Sequence, residues 1–400
     1  MRTFEDAQEF VEEEDVKFIR LSFVDVRGKM RNIAIMPENL KHACEYGIPF
    51  DSSAMRGRPA DGRQEYFLFP DISTLGLIPW RPVDGRVARM FCDIRDQEGK
   101  LCLSDSRRIL KEAVEAAAEK GIWFETCTDF EFYLFHLNER GEKTDVPLDY
   151  AGYFDVAPED KGENIRREIS FELVDMGIQP RSSHHEEGPG QNEVDFDYSD
   201  PVSAADNAEI FRWMVKNIAA SNGLWADFSP KPIADQTGDG VHYNFVLHTD
   251  DGEDAEQKVM DSFAAGILRR AREITLFLNP VEDSYKRLGV LKAPKYVAWT
   301  KNRRDQFLCF PVGRGRRSVE LRSPDPASNP YIAMALSIYA GLEGVEEDLL
   351  LDPEQENARG ESVEKIPGTL KEAYQAAKSS EFVRRYVPDD FFALYENLEG

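Results

Sequence analysis

The segment TDFEFYLF, residues 128–135, alternates polar and apolar side chains. That period of two predicts a β-strand. Phe130, Phe132 and Leu134 share one face; Asp129, Glu131 and Tyr133 share the other, with same-face neighbours about 6.6 Å apart. Other segments repeat the pattern. In EVDFDY (193–198), Val194, Phe196 and Tyr198 leave Glu193 and Asp195 opposite. In GVHYNFVLH (240–248), four apolar residues leave His242 and Asn244 opposite, and SVELR (318–322) presents Glu320 and Arg322. The turn Gly188-Pro189-Gly190 in SHHEEGPGQNEVDF (183–196) returns Glu186 close to Glu193. The chain therefore predicts a sheet with an apolar face and an acid-rich face.

Around these strands, helical and extended patterns alternate: a strand at 122–137, helices at 162–176, 204–222 and 254–279, and a hairpin at 180–198. Strands follow at 224–229 and 240–248, then a basic, loop-rich region at 281–322 and a helix from Asn329 to about Glu346. This order predicts α/β or α+β architecture. The first hundred residues read separately, as a small mixed-sheet domain beginning with a hairpin at 16–36 that turns around Gly28. A helix opening at SDSRRIL marks the boundary, dividing the chain into 1–103 and 104–400.

With 74 acids against 49 bases, the formal charge of −25 disfavours nucleic acid and anionic membranes as partners. The N-terminus has no apolar signal-like core, and no segment approaches a membrane span, so a cytoplasmic enzyme is expected. Five cysteines without metal-type spacing fit reduced, buried thiols.

Any one of the acidic strands is most simply read as turning a solvated face outward. Together they suggest something else, because acids gathered in a cavity need cations to offset desolvation and repulsion. If Asp129, Glu131, Glu186, Glu193 and Glu320 converge with His242, five charges match two or three divalent ions. Carboxylates with imidazole and no thiolate suit Mg²⁺ or Mn²⁺. Such ions point to phosphoryl chemistry.

The motifs FDSSAMRG (50–57), FPDISTLGLIPW (69–80), DFEFYLF, SHHEEGPGQNEVDF, KPIADQTGDGVHYN (231–244), DSYKRL (283–288), NRR (302–304) and VELRSPDPASNPY (319–331) resemble, in this order, those of bacterial glutamine synthetases. The resemblance runs from about Val16 to Gly344. It implies an α+β fold, with an N-terminal β-grasp domain and a catalytic domain whose curved antiparallel sheet forms a funnel flanked by helices. It also implies a homo-oligomeric ring, small-molecule carboxylate and amine substrates, and ATP as co-substrate. Carried over by residue, Glu131, Glu186 and Glu193 would hold the metal nearer the amino-acid substrate. His242, Glu320 and Asp129, the last in place of a glutamate, would hold the metal nearer the nucleotide. Arg287 would grip the α-carboxylate and Gly238 the amino group, with Arg303 and Arg322 at the transferring phosphoryl and Asp51 at the ammonium across the subunit boundary. The implied chemistry has two steps: ATP phosphorylates a carboxylate, and an amine displaces the phosphate.

Departures from the family pattern bear on the acceptor. Lys292 stands where the mobile flap usually carries glutamate, in a run one residue shorter, and it is open to two readings: a partner for a carboxylate on the acceptor, or part of a disordered flap. Thr237 replaces an asparagine, Val246 a serine, and Cys309 an arginine that meets nucleotide phosphates. The loop 313–317, GRGRR, reads equally as a replacement cation or as a solvated turn. The chain stops at Gly400 before the family's terminal helix, so a hexamer or a loosely held dodecamer is expected. The expectation is thus a carboxylate–amine ligase, γ-glutamyl in type, with an acceptor other than ammonia. The alternatives are an ordinary ammonia-using glutamine synthetase and a noncatalytic metabolite-binding or regulatory relative.

Overall fold

The computed structural model describes residues 3–54, 63–80, 84–301, 303–311, 316–355 and 363–395. Its first sheet contains β1 (Val16–Val24), β2 (Met30–Ile35), β3 (Ile48–Asp51), β4 (Glu65–Pro70), β5 (Gly76–Leu77) and β6 (Arg86–Arg95). The order is β2-β1-β6-β4-β3, with β5 also on β6. β1 and β2 form the expected antiparallel hairpin, turned by Gly28 at φ 71°, whereas β1 and β6 run parallel. Helices α1 (Phe4–Glu13) and α2 (Leu40–Tyr46) accompany this sheet. The sequence reading did not include α1, which Thr3 and Asp6 open with a reciprocal capping box.

The second sheet is built on β7 (Ile122–Leu137). Its other strands are β8 (Lys143–Pro147), β9 (Pro180–His185), β10 (Gln191–Phe196), β11 (Leu224–Asp227), β12 (Val241–Thr249), β13 (Trp299–Thr300), β14 (Leu308–Cys309) and β15 (Val319–Leu321). They run in the order β13-β14-β15-β12-β7-β10-β9, with β8 and β11 also paired to β7. Every pairing is antiparallel except β13 with β14. Helices α3 (Ser106–Ala118), α4 (Glu163–Asp175), α5 (Pro201–Ser221), α6 (Gln257–Leu278), α7 (Glu282–Arg287), α8 (Pro330–Glu346), α9 (Leu370–Ser379), α10 (Glu381–Tyr386) and α11 (Asp389–Phe392) complete the chain.

The apolar face of β7 meets the helices. Phe130 and Phe132 pack on Phe211 of α5 and on Phe228, with ring centroids 5.2 to 6.2 Å apart. Asp200 caps α5 and Pro201 opens it, so the helix starts three residues before the expected position. α8 is buried along nearly its whole length, as its all-round apolar sequence requires. The 281–322 region holds α7 and three short strands in addition to loops, and the helices after Thr369 were not foreseen. No helix of the described residues is long and apolar enough to cross a membrane.

A buried cation joins the two sheets. Arg107, in the first turn of α3, bonds both oxygens of Asp206 on α5 at 3.0 to 3.3 Å. It also reaches Asp71 at 2.9 Å and Asp93 at 3.3 Å beside the first sheet, while Tyr331 donates to Asp206 at 2.6 Å.

Candidate active site

The site follows from strand register. Directly opposed residues in antiparallel strands share a face. Asp129 of β7 stands between Asp195 of β10 and His242 of β12. Two residues along, Glu131 opposes Glu193, which opposes His184 of β9. On the other side of Asp129, Cys127 opposes Asn244, Asn244 opposes Glu320, and Glu320 opposes Cys309. Three rows of polar side chains therefore lie across the inner face.

Among the described residues, three groups have ligand atoms within 4.8 Å of one another, and two of them lie on this face: His184, Glu186 and Glu193; and Asp129, His242 and Glu320. The second is the expected set. In the first, His184 takes the place expected of Glu131, lying 3.1 Å from Glu186 and 3.8 Å from Glu193. Glu131 sits beside it, its Oε2 accepting the Gly240 N–H at 2.7 Å.

Electrostatics support cation binding. Burial, with the Asp195 and Glu320 charges added, pushes Asp129 up to about 8. Burial and Glu186 push Glu131 up to about 7, and burial with Glu131 raises Glu193 well above the carboxylate range. Burial also acts on Glu186, but hydrogen bonds from His184 and the Glu187 amide outweigh it and lower its pKa. His242 is held neutral by burial and by the nearby Arg322 and Arg287 charges, which is the ligating form of imidazole. Clustered, desolvated carboxylates that must otherwise bind protons, joined by the neutral His242 imidazole, fit hard divalent cations.

Two adjoining cavities share this face. The inner one, about 60 Å³, is lined by Glu131, Glu186, Thr237, Gly238, Arg287 and Lys292, among others. The outer one, about 750 Å³, is lined by Arg181, His184, Asp195, Tyr198, Asn244 and Arg316, among others. Asp129, Tyr153, Glu193, Arg304 and Glu320 line both.

The expected residues do not all meet here. Arg287 is buried against the inner cavity, its two Nη donating to the Ser323 and Arg322 carbonyls at 2.8 and 3.3 Å. A Cβ on Gly238 would lie 2.4 Å from the Pro230 carbonyl oxygen and 2.9 Å from Cγ of Arg287, so only glycine fits. The Thr237 carbonyl accepts from the Tyr133 hydroxyl at 2.6 Å. Arg322 pairs with Glu320. Arg303 lines neither cavity and donates from Nε to Asp305 at 3.0 Å, whereas the next residue, Arg304, lines both. Asp51 ends β3 in the first sheet and lines neither. The Cys309 thiol is pushed up to about 12 by burial and Glu320, so it brings no charge. Of the GRGRR loop, residues 313–315 lie outside the described residues, while Arg316 lines the outer cavity and pairs with Glu125.

Lys292 is placed over the inner cavity, bound to Glu187 at 2.5 Å and 5.2 Å from the centre of the Tyr153 ring. Neither Glu187 nor Tyr153 figured in the sequence reading. Nor did Asp149. His185 binds the Glu186 carbonyl at 2.7 Å and Asp149 at 2.8 Å, and Asp149 accepts the Gly190 N–H at 2.9 Å, fixing the turn that carries Glu186. The paired histidines were the available signal, but Asp149 lies far away in sequence.

Comparison with known proteins gives a consistent result. Residues 15–97 match the family described as "Glutamine synthetase, beta-Grasp domain" and residues 103–399 match "Glutamine synthetase, catalytic domain". A glutamine synthetase of Methanosarcina mazei is 38% identical over 415 residues, covering 98% of this chain and 92% of the relative. One from Staphylococcus aureus is 35% identical over 421 residues, covering 100% and 94%. A solved structure described as a GmaS/ADP complex superposes with a TM-score of 0.89 at 26% identity, covering 98% of this chain and 95% of that one. A ligand-free GmaS structure gives the same TM-score and identity.

Proposed function

Because the chain belongs to the glutamine synthetase family, and is thereby an ATP-dependent ligase that forms C–N bonds, we propose that it joins a carboxylate, glutamate in type, to an amine other than ammonia. The observation that carries this reading is the Lys292–Glu187 pair over the inner cavity. Two unit charges 4 Å apart interact by about 1 kcal/mol in water and about 4 kcal/mol at an effective dielectric of 20. The Lys292 cation thus opposes a small bare ammonium, and the Glu187 charge is committed to Lys292. A larger amine gains the Tyr153 ring face, and a carboxylate on it gains Lys292.

The residues then divide the work. Arg287, with the backbone at Thr237 and Gly238, holds the donor acid in the inner cavity. The outer cavity has the volume of a ligand site and takes the nucleotide, a ligand class in keeping with a structural relative described as an ADP complex. Arg304, at the junction of the cavities, and Arg322, beside Glu320, stabilise the transferring phosphoryl group. Arg304 takes the role first expected of Arg303. Divalent cations, Mg²⁺ or Mn²⁺, held by His184, Glu186, Glu193 and Glu131 and by Asp129, His242 and Glu320, supply charge neutralisation for triphosphate and carboxylate. The free-base amine then attacks the acyl carbon, the C–O bond to the phosphate breaks and inorganic phosphate leaves, and the proton lost by the nitrogen passes to a carboxylate base. Asp51 lines neither cavity of its own chain, so a ring in which a neighbour supplies it completes the proposal.

Phosphate release measured with ATP, Mg²⁺, glutamate and a panel of amines tests the reading. The expected result is faster release with a substituted amine than with ammonia. The second reading, ammonia as acceptor, is favoured by the glutamine synthetases at 35–38% identity; it stands if ammonia gives the highest kcat/KM in the panel.

A further inference from the structure

Arg181 owes its position to an irregularity in register. β9 and β10 pair Asp195 with Ser182 and then Phe196 with Pro180, so Arg181 is the extra residue of a β-bulge. Such bulges add twist and re-aim a side chain, often beside an active site. Here the guanidinium reaches past β10 to β7. Nη2 lies 3.0 Å from Asp129 Oδ1 and 4.0 Å from Asp195 Oδ2, Nη1 is 3.5 Å from Cys127 Sγ, and the group sits 5.9 Å from the centre of the Tyr198 ring. Arg181 therefore stands in the wall of the outer cavity, with its side chain 38% exposed.

We propose that Arg181 is a phosphate-binding residue of the nucleotide site, which rests on the ligase reading above. Three features of the cavity lead there. Asp129, Glu193, Asp195 and Glu320 line it, so a polyphosphate needs nearby cations to enter. The neutral Cys309 thiol supplies none, and Arg316 is half exposed and held at the rim by Glu125. Arg181 has N–H groups left over after its contacts with Asp129 and Cys127. A planar guanidinium with free donors suits phosphate oxygens, and Arg181 can meet them without giving up Asp129.

Equilibrium binding of ATP, ADP and adenosine to the full chain, with Mn²⁺ present, tests this for wild type, Arg181→Ala, Arg181→Gln and Arg181→Lys. A charge-assisted hydrogen bond is worth roughly 1.5–3 kcal/mol, so Arg181→Ala and Arg181→Gln should each weaken ATP and ADP about tenfold to a hundredfold. Adenosine affinity should be unchanged, and lysine should restore part of the loss. Mn²⁺ affinity without nucleotide should move less than the ATP affinity. Unchanged ATP affinity in the alanine and glutamine variants, or equal losses for ATP and adenosine, overturns the proposal. So does an ATP loss matched by the Mn²⁺ loss, which would make Arg181 a support for Asp129 alone. A wild type that binds no ATP overturns the ligase reading as well.

Discussion

Replacing Glu131 by glutamine should stabilise the chain in the absence of divalent cations and lose most of that advantage in their presence. The folded chain holds this carboxyl at about 7, up from 4.5, through burial and the Glu186 charge. One pKa unit corresponds to about 1.36 kcal/mol, so the 2.5-unit rise penalises the ionised form by about 3 kcal/mol. The carboxylate opens onto the inner cavity, which makes this an upper bound. The sign follows from linkage: a raised carboxyl costs nothing below its unfolded pKa, and the cost grows until pH passes the folded value. Glutamine keeps an acceptor for Gly240 and removes the charge. At about 2.1 cal/mol/K per residue, 400 residues give a melting entropy near 0.84 kcal/mol/K, so about 3 kcal/mol corresponds to about 4 °C. In chelator at pH 8, Glu131→Gln should therefore melt up to about 4 °C above wild type, and at pH 5 the two should nearly coincide. Mn²⁺ at a hundred times its Kd should stabilise wild type by about 2.7 kcal/mol and the variant by much less. Scanning calorimetry at two pH values, with and without Mn²⁺, reads all four quantities. A variant that melts below wild type in chelator at pH 8, or that gains as much from Mn²⁺, refutes the reasoning.

Arg107→Met should cost about 3–5 kcal/mol, because it leaves the buried Asp206 carboxylate without its cation; an unchanged denaturant midpoint would show that the bridge between the sheets adds no stability. The Cys127 and Cys309 thiols, each pushed up to about 12 first by burial, should resist alkylation at pH 8 until the chain unfolds, and rapid native labelling would contradict that. Lys292→Glu should raise kcat/KM for ammonia relative to the best amine by about tenfold, one charge contact of about 1.4 kcal/mol; an unchanged ratio would remove Lys292 from acceptor choice. Light scattering over a dilution series should find a hexamer, or a dodecamer that separates on dilution; a monomer at micromolar concentration would exclude a site shared between subunits.

Much of the site was legible because the sheet writes its contacts at a period of two. The acid face of β7, the return of Glu186 beside Glu193, and the pairing of His242 with Asp129 and Glu320 all follow from alternation and a turn. What alternation misses is anything set by an irregular backbone. The bulge that aims Arg181 breaks the period. Whether Arg303 or Arg304 faces the cavities depends on the conformation of a loop, and one residue of difference exchanges them. Asp149 and Glu187 act on His185 and Lys292 across separate segments, and single-sequence patterns carry no signal for such tertiary pairs. The capping box of α1, by contrast, was present in TFED and went unread.

The cross-strand rows constrain how this protein can change. Asp129, Glu131, Glu193 and His242 share a face only because β7, β10 and β12 keep their register over the rows that hold them. Inserting or deleting one residue inside any of these strands would turn its polar side chains into the apolar core and its apolar side chains into the cavities. Substrate choice can therefore drift by substitution over the cavities or where length is free, in the segment that carries Lys292 and the loop before β14. An engineer seeking a new acceptor should vary the lengths of those two segments and leave the strands and the Glu186–Gly190 turn untouched.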